Sequence, residues 1–219
     1  MIKLCIFDMD GLLIDSERCM WSISMAIAAK NQGFIWSPQL HNTFRGMNFK
    51  SVGEILCKEF GPKFDYDLFI KDMNFNNQSI IEAGIPLRPG VIELLDYLKE
   101  HNIKTCIGTS TPRITADKIL NVIGITHYFD GIVCGDEITN GKPNPEIYLT
   151  CLNKFDGISK EESIVFEDGQ SGALAALAAD IKLVLVPDLA RLDEEIKAKA
   201  YKVIDNIKDI IPTIENSTN

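Results

Sequence analysis

Short apolar runs alternate with stretches of helical periodicity along most of the chain. The runs are four to six residues long, which is typical of buried strands, and the stretches between them carry apolar residues at helical spacing. Strands that alternate with helices predict a parallel sheet covered by helices on both faces. The predicted strands are residues 4–7, 104–108, 131–134, 163–166 and 181–186, and the predicted helices are residues 90–101, 113–123, 144–154 and 171–179.

Residues 16–84 interrupt this alternation, because helical patterns follow one another there without a strand between them. The first runs from Ser16 to Gln32, with Ser16 as the expected N-cap, and the others cover residues 48–60 and 65–83. A glycine- and proline-rich stretch at residues 83–90 marks the return to the alternating pattern. We therefore predict an α/β core of residues 1–15 and 85–219, with a helical domain of residues 16–84 inserted into it.

Composition and charge argue against several classes of partner and binding site. The chain has 219 residues and a formal net charge of −9, which disfavours binding to the phosphate backbone of nucleic acids. No stretch approaches the ~20 consecutive apolar residues of a membrane span, and the first apolar run is too short for a signal peptide. The six cysteines contain no C-x-x-C pair, which argues against zinc. These features predict a cytoplasmic protein with no membrane and no nucleic-acid partner.

Polar residues follow four of the predicted strands at their carboxyl ends. In open parallel sheets, ligands bind beyond this edge, so these residues are expected to share one site. They are Asp8 and Asp10 after the first strand, Thr109, Ser110 and Thr111 after the second, Lys142 downstream of the third, and Glu167 and Asp168 after the fourth.

This combination of side chains suits phosphoryl transfer assisted by a divalent cation. Several carboxylates at one point repel one another unless a cation lies among them, and oxygen ligands suit Mg²⁺. A hydroxyl group and a lysine can hold the oxygens of a phosphate. Of two aspartates at one strand end, one can attack phosphorus while the other carries protons to the leaving group and from water.

Simpler interpretations exist for each motif alone. Asp8 and Asp10 could form a turn, residues 109–112 could begin a helix, and Lys142 could be a solvated surface residue. If Asp8 were the first position of a calcium-binding EF-hand loop, its fifth and sixth positions would be Leu12 and Leu13. Leucines do not suit these positions, so an EF-hand loop is excluded. A phosphate-accepting signalling domain uses similar side chains, but it lacks a helical insertion of about seventy residues.

The motifs FDMDG, GTS, GKPNPE and FEDGQSG resemble those of the haloacid dehalogenase superfamily, in this order and over essentially the whole chain. The resemblance is strongest to the branch of small phosphatases with a cap domain, which includes β-phosphoglucomutase. It implies a Rossmann-like, doubly wound parallel sheet with an inserted α-helical cap that covers the site and selects the substrate. It also implies Mg²⁺ as the cofactor and an aspartyl-phosphate intermediate.

The same resemblance implies a role for each motif residue. Asp8 is the nucleophile and a metal ligand, and Asp10 is the general acid/base, with its main-chain carbonyl on the metal. Lys142 steadies the nucleophile and the phosphate, which Thr109 and Ser110 also bind. Asp168 is a metal ligand, and Glu167 is a second or outer one. Arg45 lies between predicted cap helices, where loops often carry function, and is expected to contact the substrate.

Phosphatases and phosphomutases of this superfamily share all four motifs. The mutases carry a histidine on the first cap helix, a basic residue in a cap loop and a lysine soon after the second motif. This chain has Met20 and Phe49 at the first two positions, with Lys50 adjacent, and Pro112 and Arg113 after the second motif. We therefore expect a monomeric phosphatase for a small phosphorylated metabolite, such as a sugar or nucleoside phosphate. The alternative is a β-phosphoglucomutase-type phosphomutase.

Overall fold

The computed structural model describes residues 1–37, 39–40, 43, 49–189 and 192–216, with only the backbone described for residues 49–51. The contacts divide the chain into two compact units. The first contains Met1–Ile14 and Leu87–Asn219, and the second contains Asp15–Pro86. Among the described residues, no helix combines the length and the apolar composition that crossing a membrane requires.

A parallel sheet forms the centre of the first unit. Within the described residues it has six strands in the order β3-β2-β1-β4-β5-β6, and every neighbouring pair is parallel. The predicted α/β class with a Rossmann-like sheet is confirmed. The strands are β1 Leu4–Phe7, β2 Lys104–Gly108, β3 Gly131–Val133, β4 Ser163–Glu167, β5 Lys182–Leu185 and β6 Lys202–Val203. Strand β6 was not predicted, because two residues are too few to form a pattern.

Strand β1 lies between β2 and β4 and is buried along its whole length. Its last residue, Phe7, pairs in register with Ile107 on one side and Phe166 on the other. The rings of Phe7 and Phe166 stack with their centroids 4.8 Å apart. Because three neighbouring strands end at the same level, the residues that follow them emerge at one edge of the sheet.

Helices connect the strands, with bounds close to the predicted ones. The helix that follows β2 begins at Arg113, and Pro112 occupies its N-cap position without a side-chain cap. The hydroxyl residues before Pro112 therefore belong to the loop after β2, which leaves their side chains available for other contacts. The helices of this unit are α4 Val91–Glu100, α5 Arg113–Ile123, α6 Glu146–Leu152, α7 Gln170–Ala178, α8 Glu194–Lys199 and α9 Ile211–Asn216.

The second unit is helical in its described part, with a π-helical turn at Glu17–Trp21 followed by α1 Ser22–Asn31, α2 Phe49–Phe60 and α3 Tyr66–Ala83. The expected N-cap role of Ser16 is wrong. Its backbone is already helical, with φ −67° and ψ −32°, and its side chain makes no capping hydrogen bond. The predicted helix before Gln32 thus begins with a wider turn rather than with a capped α-helix.

The helical unit has its own apolar core, against which the partly buried Trp21 and Trp36 pack. The Trp36 and Phe69 rings stack at 5.9 Å between centroids. The buried members of the core are Met25, Ala28, Ala29, Val52, Leu56, Phe64, Phe69 and Met73. Arg45, the expected substrate contact, lies outside the described residues.

Candidate active site

Asp8 is the first residue after β1, at the carboxyl edge of the sheet. Its amide donates a hydrogen bond of 3.0 Å to the carbonyl of Phe166, which continues the pairing of β1 with β4. The chain turns away at Gly11, where φ is +85°. A Cβ atom at this position would lie 2.3 Å from Asp168 Oδ2, so both the backbone conformation and the space require glycine.

Three carboxylates meet at this edge. Each of Asp8, Glu167 and Asp168 offers an oxygen, and these oxygens lie within 4.8 Å of one another. The three residues expose only 7%, 2% and 9% of their surface. Hard carboxylate oxygens at such separations suit a divalent cation, and Mg²⁺ in particular prefers oxygen ligands. The donor set therefore fits the cation that the sequence predicts.

The electrostatics of the carboxylate group lead to the same conclusion. Burial raises the pKa of Asp8 to about 7, with Lys142 opposing the shift and Glu167 adding to it. Burial also raises the pKa of Asp168 well above its ordinary value, reinforced by the charges of Glu167 and Asp8. Asp8 and Asp168 are therefore costly to ionise in the protein alone, and a bound cation would remove that cost.

Lys142 joins two of the carboxylates. Its Nζ donates hydrogen bonds of 2.5 Å to Asp8 Oδ1 and 2.7 Å to Glu167 Oε1. The side chain exposes only 6% of its surface. Burial lowers the pKa of Lys142, but the charges of Asp8 and Glu167 outweigh burial and raise it above the ordinary value. The lysine is thus a fixed positive charge beside Asp8.

The loop after β2 holds Asp10. Thr111 Oγ1 donates a hydrogen bond of 2.7 Å to Asp10 Oδ2, and the Thr111 amide donates one of 3.1 Å to Thr109 Oγ1. Thr109 exposes 1% of its surface, and Ser110 is exposed. One oxygen of the Asp10 carboxylate is thereby held by the loop that follows β2.

The structure thus brings most of the predicted site residues to one edge of the first unit. Asp8, Lys142, Glu167 and Asp168 form one connected group, and Asp10 contacts the threonine loop. These positions are compatible with the expected roles, which stay predictions.

Two further residues contact the site without having been selected as site residues. Thr111 was recognised only as one member of a hydroxyl cluster. Tyr148 is completely buried on α6, and its hydroxyl donates to Glu167 Oε1. The available signal for Tyr148 was a polar aromatic residue on the apolar face of the helix that follows Lys142.

The protein has an acidic, lysine-containing site at the carboxyl edge of a Rossmann-like parallel sheet, and this combination defines it as an α/β enzyme. More specifically, the chain belongs to the haloacid dehalogenase-like hydrolase family, which it matches over residues 5–186. The sequence resemblance to this superfamily is confirmed, and so is the expectation of an enzyme.

Individual relatives support the assignment to this family. The chain is 34% identical over 183 residues to a phosphorylated carbohydrates phosphatase from Thermotoga maritima, with 84% of each chain covered. It is 32% identical over 219 residues to (DL)-glycerol-3-phosphatase 2 from Arabidopsis thaliana, covering 94% of this chain and 88% of the relative. A crystal structure of a Thermotoga maritima protein, provisionally named β-phosphoglucomutase, superimposes with a TM-score of 0.83 at 30% identity. That match covers 98% of this chain and 99% of the other.

Proposed function

We propose that the protein is a Mg²⁺-dependent phosphatase that hydrolyses a small phosphomonoester, such as a sugar or nucleoside phosphate, through an aspartyl-phosphate intermediate. The observation that carries the proposal is the contact of Asp8 with Lys142 within a buried group of three carboxylates. Two relatives over 30% identical are named phosphatases of small phosphorylated compounds, and this supports the substrate class.

In the proposed reaction, a carboxylate oxygen of Asp8 attacks phosphorus and the ester oxygen leaves. Lys142, 2.5 Å from Asp8 Oδ1, holds this carboxylate in place and offsets the negative charge that gathers as the phosphate approaches. Asp8, Glu167 and Asp168 would hold Mg²⁺, which when bound supplies positive charge to the phosphoryl oxygens. Water then attacks the aspartyl phosphate, which releases inorganic phosphate and restores Asp8.

Asp10 is assigned the proton transfers. It donates a proton to the leaving oxygen and later accepts one from the attacking water. The hydrogen bond from Thr111 restricts its side chain near Asp8, two residues away in the sequence. We assign the binding of the phosphate oxygens to Thr109 and Ser110 and to the ammonium group of Lys142.

Two observations favour a phosphatase over a phosphomutase, which must also bind a second phosphate. Arg113, the cation after the second motif, is already bound to protein acceptors. Its guanidinium donates to Glu137 Oε2 at 2.7 Å and to the carbonyl of Ile132 at 2.9 Å. Met20, which stands where the mutases carry a histidine, is buried at 2% exposure within the helical unit. The provisional name of the Thermotoga maritima structure keeps the phosphomutase as the second candidate.

The decisive experiment measures phosphate release from a panel of sugar, polyol and nucleoside monophosphates. We expect turnover with Mg²⁺, none in excess chelator, and recovery when Mg²⁺ is added back. Asp8→Asn should abolish turnover in a folded protein, whereas Asp136→Asn, a change at an exposed residue outside the proposed machinery, should not. Full activity in chelator, or turnover by Asp8→Asn, would contradict the proposal.

The phosphomutase alternative is tested separately with β-glucose 1-phosphate. The phosphatase assignment predicts glucose and free phosphate as the main products, if this ester is accepted at all. Efficient formation of glucose 6-phosphate would replace the phosphatase assignment with the phosphomutase.

A further inference from the structure

Tyr148 places a hydroxyl group inside the core, directly beneath the acidic site. The residue is fully buried on α6, in the apolar cluster that lies between this helix and the sheet. Space for its ring depends on Gly108 at the end of β2, where a Cβ atom would lie 3.2 Å from Tyr148 Cε1. A phenylalanine would fill the same space, so packing alone does not explain the hydroxyl.

The hydroxyl and Lys142 converge on one oxygen of Glu167. Both donate to Oε1, the lysine at 2.7 Å. The Lys142 Nζ also lies 4.9 Å from the centroid of the Tyr148 ring, within the range of a cation–π interaction. Tyr148 therefore contacts both the carboxylate and the lysine that pairs with Asp8.

The two oxygens of Glu167 consequently differ in what they can still accept. Two donors occupy the acceptor sites of Oε1, whereas from the residues that the structure describes Oε2 receives only a long hydrogen bond of 3.3 Å, donated by the Gly169 amide. Gly172 leaves the space that this carboxylate occupies, because a Cβ atom there would lie 1.5 Å from Oε1. The oxygen with acceptor capacity to spare is therefore Oε2.

We propose that Tyr148 is a positioning residue of the active site. By holding Glu167 Oε1 together with Lys142, it presents Oε2 to the divalent cation and keeps the lysine directed at Asp8. The inference rests on the proposed function, since it assumes that Asp8, Glu167 and Asp168 bind the cation. It adds a residue outside the four motifs to the residues that set the affinity for the metal.

Tyr148→Phe tests this directly, because it removes the hydroxyl and keeps the ring. We expect the affinity for Mg²⁺, measured by calorimetric titration without substrate, to fall about 10- to 100-fold, as for other residues that orient metal ligands. Circular dichroism should match that of the wild type. Part of the lost phosphatase activity should return at high Mg²⁺, a response that a purely structural defect would not give.

The matched control is Tyr128→Phe. The Tyr128 hydroxyl also donates to a carboxylate, that of Asp96 at 2.5 Å, but Tyr128 is only half-buried, Asp96 is exposed, and both lie outside the site. This variant should bind Mg²⁺ and turn over substrate as the wild type does. An affinity for Mg²⁺ in Tyr148→Phe that equals the control's would overturn the positioning role.

Three further outcomes are also decisive. If Tyr148→Phe does not fold, Gly172→Ala displaces the same carboxylate through the added Cβ atom, and unchanged Mg²⁺ affinity in that variant also contradicts the proposal. If the wild type itself neither binds Mg²⁺ nor hydrolyses phosphomonoesters, the proposed function fails and this inference fails with it. A wild type that does both while Tyr148→Phe is unaffected refutes the inference alone.

Discussion

Replacing Lys142 by methionine should destabilise the protein as well as inactivate it. The change leaves Asp8 and Glu167 without their shared cation, and both carboxylates stay more than 90% buried. Removing one partner of a buried ion pair typically costs about 3–5 kcal/mol, because an uncompensated charge remains inside the protein. For a chain of this size, each kcal/mol lowers the midpoint of thermal unfolding by about 2–4 °C. The expected loss is therefore about 6–20 °C at pH 8 without metal.

The loss should become smaller as the pH falls. The folded-state pKa of Asp8 is already raised to about 7, and removing Lys142, which opposes this shift, raises it further. Between about pH 4, the ordinary value of an aspartate, and this raised value, the folded state binds more protons than the unfolded state. In both proteins the free energy of unfolding therefore falls as the pH rises from about 4, but in the wild type this fall ends near pH 7, the pKa of its Asp8, whereas in the variant it continues to a higher pH. The stability difference between the two proteins thus grows as the pH rises above about 7. Lys142 itself is charged in both states below pH 8, so it adds no pH dependence there.

Thermal unfolding of the metal-free protein, followed by circular dichroism at pH 5 and pH 8, measures both effects. The matched control is Lys104→Met, which breaks an ion pair with Asp130 at 2.7 Å whose side chains are 52% and 34% exposed. An exposed pair contributes at most about 1 kcal/mol. The two variants thus remove ion pairs of similar length that differ in burial.

The reasoning is refuted if Lys142→Met loses no more stability at pH 8 than Lys104→Met does. It is also refuted if the loss is as large at pH 5 as at pH 8, since protonation of Asp8 should relieve it. Addition of Mg²⁺ at pH 8 should restore part of the stability, because the cation supplies the missing positive charge.

Three further changes test other parts of the structure. Thr111→Val should lower kcat about 10-fold or more and alter the pH–rate profile, because it releases Asp10 from its hydrogen bond. Thr111→Ser keeps the hydroxyl group and should retain activity. Equal rates for both variants would show that Thr111 does not hold Asp10 for catalysis. Phe166→Ala should cost about 3–5 kcal/mol in urea unfolding, because it empties the space against Phe7, and a loss under 1 kcal/mol would contradict the packing. Asp8→Asn should leave the metal-free protein at pH 8 as stable as the wild type or more so, since it removes a buried acid with a raised pKa; a clear fall in the unfolding midpoint would argue otherwise.

The sequence pattern predicted most of the sheet because its central strands are buried on both faces. Leu4–Phe7 and Ser163–Phe166 are runs of buried residues, and such runs are conspicuous in a sequence. The candidate site could be predicted for a related reason. Parallel strands end at the same edge, so polar residues directly after different strands were expected to lie together, as Asp8 and Asp168 do.

Features that depend on the rotation of a helix or the start of a turn were not predictable in this way. The contact of Tyr148 with Glu167 depends on which face α6 presents to the sheet, and helical periodicity does not fix this angle closely enough. The π-helical turn after Ser16 has the same apolar pattern as an α-helix, so a capped helix start was expected instead.

The central position of β1 has a consequence for how the chain is made. Leu4–Phe7 leaves the ribosome before its two neighbours in the sheet, because Lys104–Gly108 and Ser163–Glu167 are about 100 and 160 residues further along the chain. The nascent chain must therefore carry an apolar strand that has no neighbour until Lys104–Gly108 is synthesised and lacks its second neighbour until Ser163–Glu167 is synthesised, which is a hazard for aggregation. Such long-range pairing also slows folding. The segment with the candidate nucleophile at its end is thus made before both of its neighbours and enclosed only after the second of them is made.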